Sequence, residues 1–278
     1  MAILSITYES GSGAEEIGHA IEKQLGYEYL AIGKILKEAS QSGKTWERFG
    51  AEYGEATPNI WERYDWSFMG FMALGQSTIL NHAVKDNIVI MARGANYLLA
   101  GIPHALRVRI EAPVEKRIEW LMKREKLDIV SATHLVKKND SDTAFFVRQL
   151  YGKKWNDPDA YEIKFDTNVQ GTDQIINLVK SLLAAKDNLK TREAQDKLEM
   201  RALIAKIKAS IFTNPAFLIP TLEVEAERGG IVLRGIAGSI KEHRAIDEEV
   251  KKICGNKTSV RCEIHYRGVK SVKPHKLA

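Results

Sequence analysis

Cysteine is nearly missing: Cys254 and Cys262 are the only two among 278 residues. That count excludes a disulfide framework and fits a reducing compartment. Long apolar runs are missing as well, since none approaches the roughly 18 residues that a membrane-spanning helix needs. The opening residues do not read as a secretory leader, having no basic stretch before an apolar core. A cytoplasmic chain is expected. The seven histidines are scattered, with no pair at metal-ligand spacing, so no protein-built metal site is expected. No basic strand is interleaved with aromatic residues, which leaves no strong nucleic-acid signal.

What is present begins with enough apolar sequence, 44% of the chain, to bury a large core, and enough length for two domains. Charge divides them. Residues 191–278 hold 17 Lys+Arg against 11 Asp+Glu, while the first 190 hold 24 against 25. The basic surplus is densest near the end, at Arg261, Arg267, Lys270, Lys273 and Lys276. Such a tail attracts anionic partners or simply solubilises the chain.

The chain is organised around residues 3–25, ILSITYESGSGAEEIGHAIEKQL. Leu4 and Ile6 belong to a short apolar run of the kind a strand buried on both faces shows. Gly11 and Gly13 flank Ser12 in a tight turn. Ile17, Ile21 and Leu25 then fall four apart, one face of a helix. Strand, glycine turn and helix together aim free N–H groups and a helix N-terminus at a phosphate. The turn is not a full Walker A. With Gly13 on the second glycine of G-x-x-x-x-G-K-S/T, Ala14 falls on the lysine and Glu15 on the magnesium-binding hydroxyl. Loss of such a cation costs roughly 10²–10³ in rate where charge stabilisation carries the step. Taken alone, the G-S-G pattern reads better as turn glycines than as a phosphate loop.

Further along, helices are expected from Ile32 to about Ser40 and over residues 64–84. The stretch between them, residues 42–61, is irregular and rich in aromatics, and is read as covering a site or packing beneath a loop. Residues 87–92 make a second buried strand, running straight into Arg93-Gly94-Ala95-Asn96. A cation at the C-terminal end of a parallel strand lies where open α/β sheets bind ligands, so Arg93 is a candidate anion binder, with a salt bridge closing the sheet's edge as the alternative. A third strand holds Leu106, Val108 and Ile110. Pro113 opens a helix with Ile118, Leu121 and Met122 inward and Arg117 and Arg124 mostly outward. Two shorter helices, 130–138 and 141–150, and a strand at 161–165 come next. Strands alternating with helices predict a doubly wound parallel sheet. Residues 184–200 are polar without a strong apolar stripe and are read as a linker. Beyond them, alternation at 222–226 and 260–266, a glycine turn at Gly229-Gly230 and a helix capped by Ser239 predict a small α-β-β-α-β unit.

Three motifs in order carry a resemblance. Residues 6–18 are similar to I-S-R-E-x-G-S-G-G-x-x-I-A, residues 88–99 to V-I-V-G-R-G-A-x-Y-I-L, and residues 112–125, 137–140 and 151–162 to a charged lid region. Residues 1–185 thus resemble the cytidylate kinase-like family, a branch of the P-loop nucleoside monophosphate kinases. That resemblance implies a P-loop kinase-type α/β fold with a helical lid. It also implies ATP as donor with Mg²⁺ carried on it, and a CMP-like nucleoside monophosphate as acceptor. Ser10, Gly11, Ser12, Gly13, Arg93 and Asn96 would hold nucleotide, and Arg117, Arg124 and Arg148 would close over the transferring group. Three of the family's cations are replaced, by Tyr8, Glu15 and Thr143. A phosphotransferase and a catalytically degenerate nucleotide-binding regulator therefore both remain open. Residues 201–268 resemble a BON domain, around Gly230-Ile231-Val232-Leu233-Arg234-Gly235. This implies a module for phospholipid or a protein partner; a module for homo-oligomerisation or regulation, without a ligand, is the alternative. Residues 186–200 join the two parts, and 269–278 form a basic tail.

Overall fold

The structure, a computed structural model, describes residues 2–41, 43, 65–227, 229–255 and 258–266. The expected cover of residues 42–61, Gly43 apart, and the basic tail 269–278 lie outside the described residues.

Strand β1 (Ile3–Tyr8) is buried from Ile3 to Thr7 and forms the middle of a five-stranded sheet. Its neighbours are β3 (Ile88–Met91) and β4 (Ala105–Glu111), with β2 (Glu28–Ala31) and β5 (Ile163–Asp166) outermost. All four pairings are parallel. Sequence neighbours β1 and β2 are separated by β3, so the chain crosses over the sheet through helices, and both faces are covered. On one face α1 (Ala14–Leu25) and α7 (Thr172–Asp187) bring Ile17, Ile21, Ile175 and Val179 against Leu4, Ile6 and Val108. On the other lie α2 (Ile32–Ser40), α3 (Trp66–Ala83) and the single turn α4 (Ala95–Leu98), with Ile35, Ile79, Leu80 and Leu99 packed on Ile3, Ile88 and Ile90. Helix α3 is started by Asp65, whose side chain accepts from Ser67 N.

Two helices project beyond the sheet's C-terminal edge, α5 (Val114–Glu125) and α6 (Ile129–Tyr151). The second corrects the expectation of two shorter helices. The polar run at Lys137–Asp140 reads as a break, yet Asn139 and Asp140 are bonded to Ser10 and Arg117. Tertiary partners satisfy the side chains, and the helix continues for 23 residues. The polar stretch 184–200 is also helical for most of its length: α7 runs to Asp187, and α8 (Arg192–Thr213) begins after four residues. Its apolar stripe is written largely in alanine. Leu198, Ala202 and Ala205 are buried with the core of the parallel sheet, and Ile207, Ile211 and Phe212 with that of the small unit.

The last part has the expected order. Strand β6 (Glu223–Glu227) pairs antiparallel with β7 (Gly230–Ala237), and β7 pairs parallel with β8 (Ser259–Tyr266) after the crossover helix α9 (Ile240–Cys254). Ser239 caps α9 by accepting from Glu242 N. One sheet face packs Val224, Ile231, Leu233 and Ile264 on Ile246 and Val250. Across the strands, Arg234 bonds Glu225, Glu227 and Glu263.

Candidate active site

The C-terminal ends of β1 and β3 open into a cavity of about 610 Å³. The glycine turn forms its floor. Gly11 has φ +84° and Gly13 φ +75°, the left-handed region in which only glycine is unstrained. Gly11 is also pressed against α5: a Cβ there would stand 2.7 Å from the Arg117 carbonyl oxygen. Ser12 N bonds Glu9 O, and Ser12 O accepts from Thr167 Oγ1 at 2.9 Å. The turn is therefore held from behind. Among the described residues, the N–H groups of Gly11, Gly13, Ala14 and Glu15 donate to no protein acceptor, and buried Ser12 Oγ has no partner. Unaccepted N–H groups at the start of a twelve-residue helix are a fit for phosphate oxygens.

Glu9 ties the turn to its surroundings. It accepts from Arg109 Nη2 at 2.8 Å and Ala112 N at 3.3 Å, with Arg117 Nε at 3.5 Å. Arg109 is 2% exposed, bonds Glu111 and Trp155 O, and lies 4.5 Å over the Trp155 ring. Arg117 corrects its outward placement: it is 5% exposed, and its two terminal nitrogens reach Asp140 at 2.9 and 2.8 Å. It also donates to Ala112 O and Ser10 O. These acceptors, with Glu9 beside them, turn inward a charge that a helical-face argument turns outward. Arg117 braces the turn and lid from beneath.

The other expected arginines part ways. Arg93 lines the cavity; among the described residues it makes no hydrogen bond or ion pair and interacts with Asp142 and Tyr8 through charge alone. Burial lowers its guanidinium's pKa, against the attraction of Asp142 and Tyr8, but an arginine stays charged throughout the physiological range. Arg124 also lines the cavity, with Nη2 2.7 Å from Glu15 Oε2 and its guanidinium 4.6 Å above the Trp120 ring. The hydrogen bond to Glu15 raises its pKa. The acid that replaced a family cation is thus neutralised within the chain. Arg148 is exposed on α6 and does not line the cavity, and neither does Asn96. Asn96 is 1% exposed, accepts from Thr7 Oγ1 and donates to Ala160 O, so it joins β1 to the turn at Pro158–Ala160.

Tyr8, at the end of β1, lines the cavity between these groups. Burial and then Glu15 push its hydroxyl pKa up, against Arg93 and Arg124, so it remains a hydrogen-bond donor at neutral pH. Tyr151 closes the far end beside Gly94, where a Cβ would fall 2.2 Å from its ring. Its burial pushes its pKa up to about 12. The rest of the wall, from α2 and α3, is mostly apolar: Ile35, Leu36, Phe71, Met72 and Ile79, with Gln76 among them. The Arg124–Glu15 pair was not legible as site geometry, because its two residues lie in different parts of the chain.

Comparison with known proteins fits this geometry. The model of the cytidylate kinase-like family matches residues 3–169, more than half the chain. The chain belongs to the cytidylate kinase-like family. Among its relatives, the cytidylate kinase of Methanopyrus kandleri is 24% identical over 200 residues, covering 69% of this chain and 96% of that protein. That of Methanocaldococcus jannaschii is 26% identical over 192 residues, covering 68% and 99%. An uncharacterized protein from Eubacterium ventriosum has the same fold, with a TM-score of 0.52 at 17% identity over 66% of this chain and 99% of that one. As a cytidylate kinase-like protein the chain is a nucleoside monophosphate kinase-like phosphotransferase on a P-loop kinase α/β fold. The family match stops at residue 169, so helices α7 to α9 and the small sheet lie outside it. Among the described residues no helix is long and apolar enough to cross a membrane, and no group of three His, Cys, Asp or Glu could hold a metal.

Proposed function

We propose that the chain transfers a phosphoryl group from ATP to a nucleoside monophosphate of CMP type. The observation that carries this is Arg93, a guanidinium that makes no hydrogen bond or ion pair among the described residues and feels only the charges of Asp142 and Tyr8, in the same cavity as the unaccepted N–H groups of the glycine turn. Phosphoryl transfer needs mainly positioning and charge neutralisation. The N–H groups of Gly11 to Glu15, with the positive end of α1, would hold the donor phosphates. Arg93 would hold the acceptor's phosphate, and Tyr8 would donate a hydrogen bond between the two. Arg124 would exchange Glu15 for a phosphate oxygen. Arg117 supports the turn rather than touching substrate. Mg²⁺, which would arrive on the nucleotide, supplies charge neutralisation; Glu15 stands where the usual metal-binding hydroxyl would be.

A second reading, a nucleotide-binding regulator without turnover, is favoured by the engagement of Arg117 and Arg124 in ion pairs. The C-terminal α-β-β-α-β unit fits a BON-like module for phospholipid or a protein partner, with Gly235 at φ +159° against Ile219 and Thr221.

The deciding experiment measures ADP release from ATP across all nucleoside monophosphates, beside calorimetric titration of CMP into wild type and Arg93→Ala. Turnover is expected, with CMP binding lost in a variant that melts like wild type. ATP binding without ADP release for any acceptor would establish the regulator. Unchanged CMP affinity in Arg93→Ala would remove Arg93 from the acceptor site.

A further inference from the structure

Helix α3 has two working faces. Met72, Gln76 and Ile79 line the cavity, while Trp66, Met69 and Ala73 are packed with α8 and the core of the small unit. The two helices run antiparallel along their length. The ring of Trp66, at the start of α3, lies edge-on to Phe212 near the end of α8, with centroids 5.1 Å apart. At the other end Gln195 Nε2 donates to Val84 O at 3.1 Å. Small residues, Ala73 on one helix and Ala202, Ala205 and Ala209 on the other, let the backbones approach, and such packing transmits displacement rather than absorbing it.

The same helix reaches the short turn that follows Arg93. Arg201 Nη1 donates to Leu98 O at 2.8 Å, and Lys197 Nζ to Gly101 O at 3.0 Å. Leu98 closes the single helical turn that begins two residues after Arg93, where carbonyls lack partners of their own. Arg201 is half-buried, and burial lowers its pKa. Helix α8 therefore touches both the helix that walls the cavity and the short turn that follows Arg93, and it lies outside the segment matched by the family.

We propose that α8 is a positioning element for the acceptor, with Arg201 fixing the turn that follows Arg93 through Leu98 and the α3 seam fixing the cavity wall. This rests on the phosphotransfer reading above. Whatever engages the small unit then acts on acceptor affinity and leaves unchanged the donor turn, to which α8 makes no hydrogen bond or ion pair among the described residues.

The test compares wild type, Arg201→Met and Arg201→Lys as full chains, in steady-state kinetics with CMP and ATP. Arg201→Met should raise the KM for CMP by about tenfold and leave the KM for ATP within about twofold, as a positioning loss remote from the chemistry does. Arg201→Lys, which can still donate to Leu98 O, should recover most of that change. Equal rises in both KM values, or an unchanged KM for CMP in a folded Arg201→Met, would overturn the proposal. If Arg201→Met fails to fold, hydrogen exchange on wild type decides: CMP should slow exchange within residues 192–213, and no slowing refutes the coupling. Calorimetric absence of CMP binding to wild type would instead defeat the functional reading, and this proposal with it.

Discussion

Replacing Glu15 by glutamine separates two effects that oppose each other at the donor turn. In wild type the Glu15 carboxylate, in the first turn of α1, suits that helix's positive end but repels the phosphates that the N–H groups there would take. It also occupies Arg124, at 2.7 Å. The two side chains are 40% and 45% exposed, so losing the pair costs less than about 1 kcal/mol of stability. Released, Arg124 can pair with a phosphate oxygen, a charge-assisted hydrogen bond of about 1.5–3 kcal/mol. Allowing for the exchange, Glu15→Gln should tighten ATP binding by about 1–2 kcal/mol, or roughly 5- to 30-fold in Kd. Calorimetric titration of ATP with magnesium, at low and physiological salt, measures it. The gain should shrink as salt rises, because the groups are exposed. A folded Glu15→Gln that binds ATP no better than wild type would refute the exchange of Glu15 for phosphate.

Arg117→Ala should behave quite differently, because it leaves Asp140 and Glu9 without their shared partner. Its expected cost is about 3–5 kcal/mol of stability, read as a lower urea midpoint by tryptophan fluorescence; a stable variant that merely loses turnover would return Arg117 to the reacting groups. Acid should also weaken the fold through His104, which is fully buried and whose pKa burial pushes below its ordinary 6.5, against Asp86. The unfolded chain takes up that proton first, so the contribution is complete above about pH 6.5 and is lost as pH falls below it. His104→Gln should flatten the stability profile between about pH 6.5 and 5, and an unchanged slope would show that other groups set it.

Much of the fold was legible wherever one local period dominated. The change from the β1 run to the fourfold spacing of Ile17 and Ile21 marks strand and helix without tertiary help, and the alternation at β6 and β8 does the same. What was lost lay where tertiary contacts override local signs. Asn139 and Asp140 look like a helix break until Ser10 and Arg117 are placed beside them. Arg117 looks like a solvent-facing cation until Glu9 and Asp140, 108 and 23 residues away, close on it. The start of helix α8, residues 192–200, escaped because alanine is a weak hydrophobic signal yet a strong packing one. At the site, the glycine turn and Arg93 were legible from their place at strand ends. The Arg124–Glu15 pair needed the lid folded over the turn.

The parallel sheet is complete once residue 166 has been made, but its face at Leu80, Leu99 and Ile102 shares a core with Leu198, Ala202 and Ala205. A chain growing from the ribosome at about 5–20 residues per second must therefore wait several seconds, with that face open to water, for residues 192–213. During that interval the emerging polypeptide is a natural client for chaperones that shield apolar surface. An expression fragment cut at the family boundary would carry the same uncovered face permanently and should accumulate in inclusion bodies.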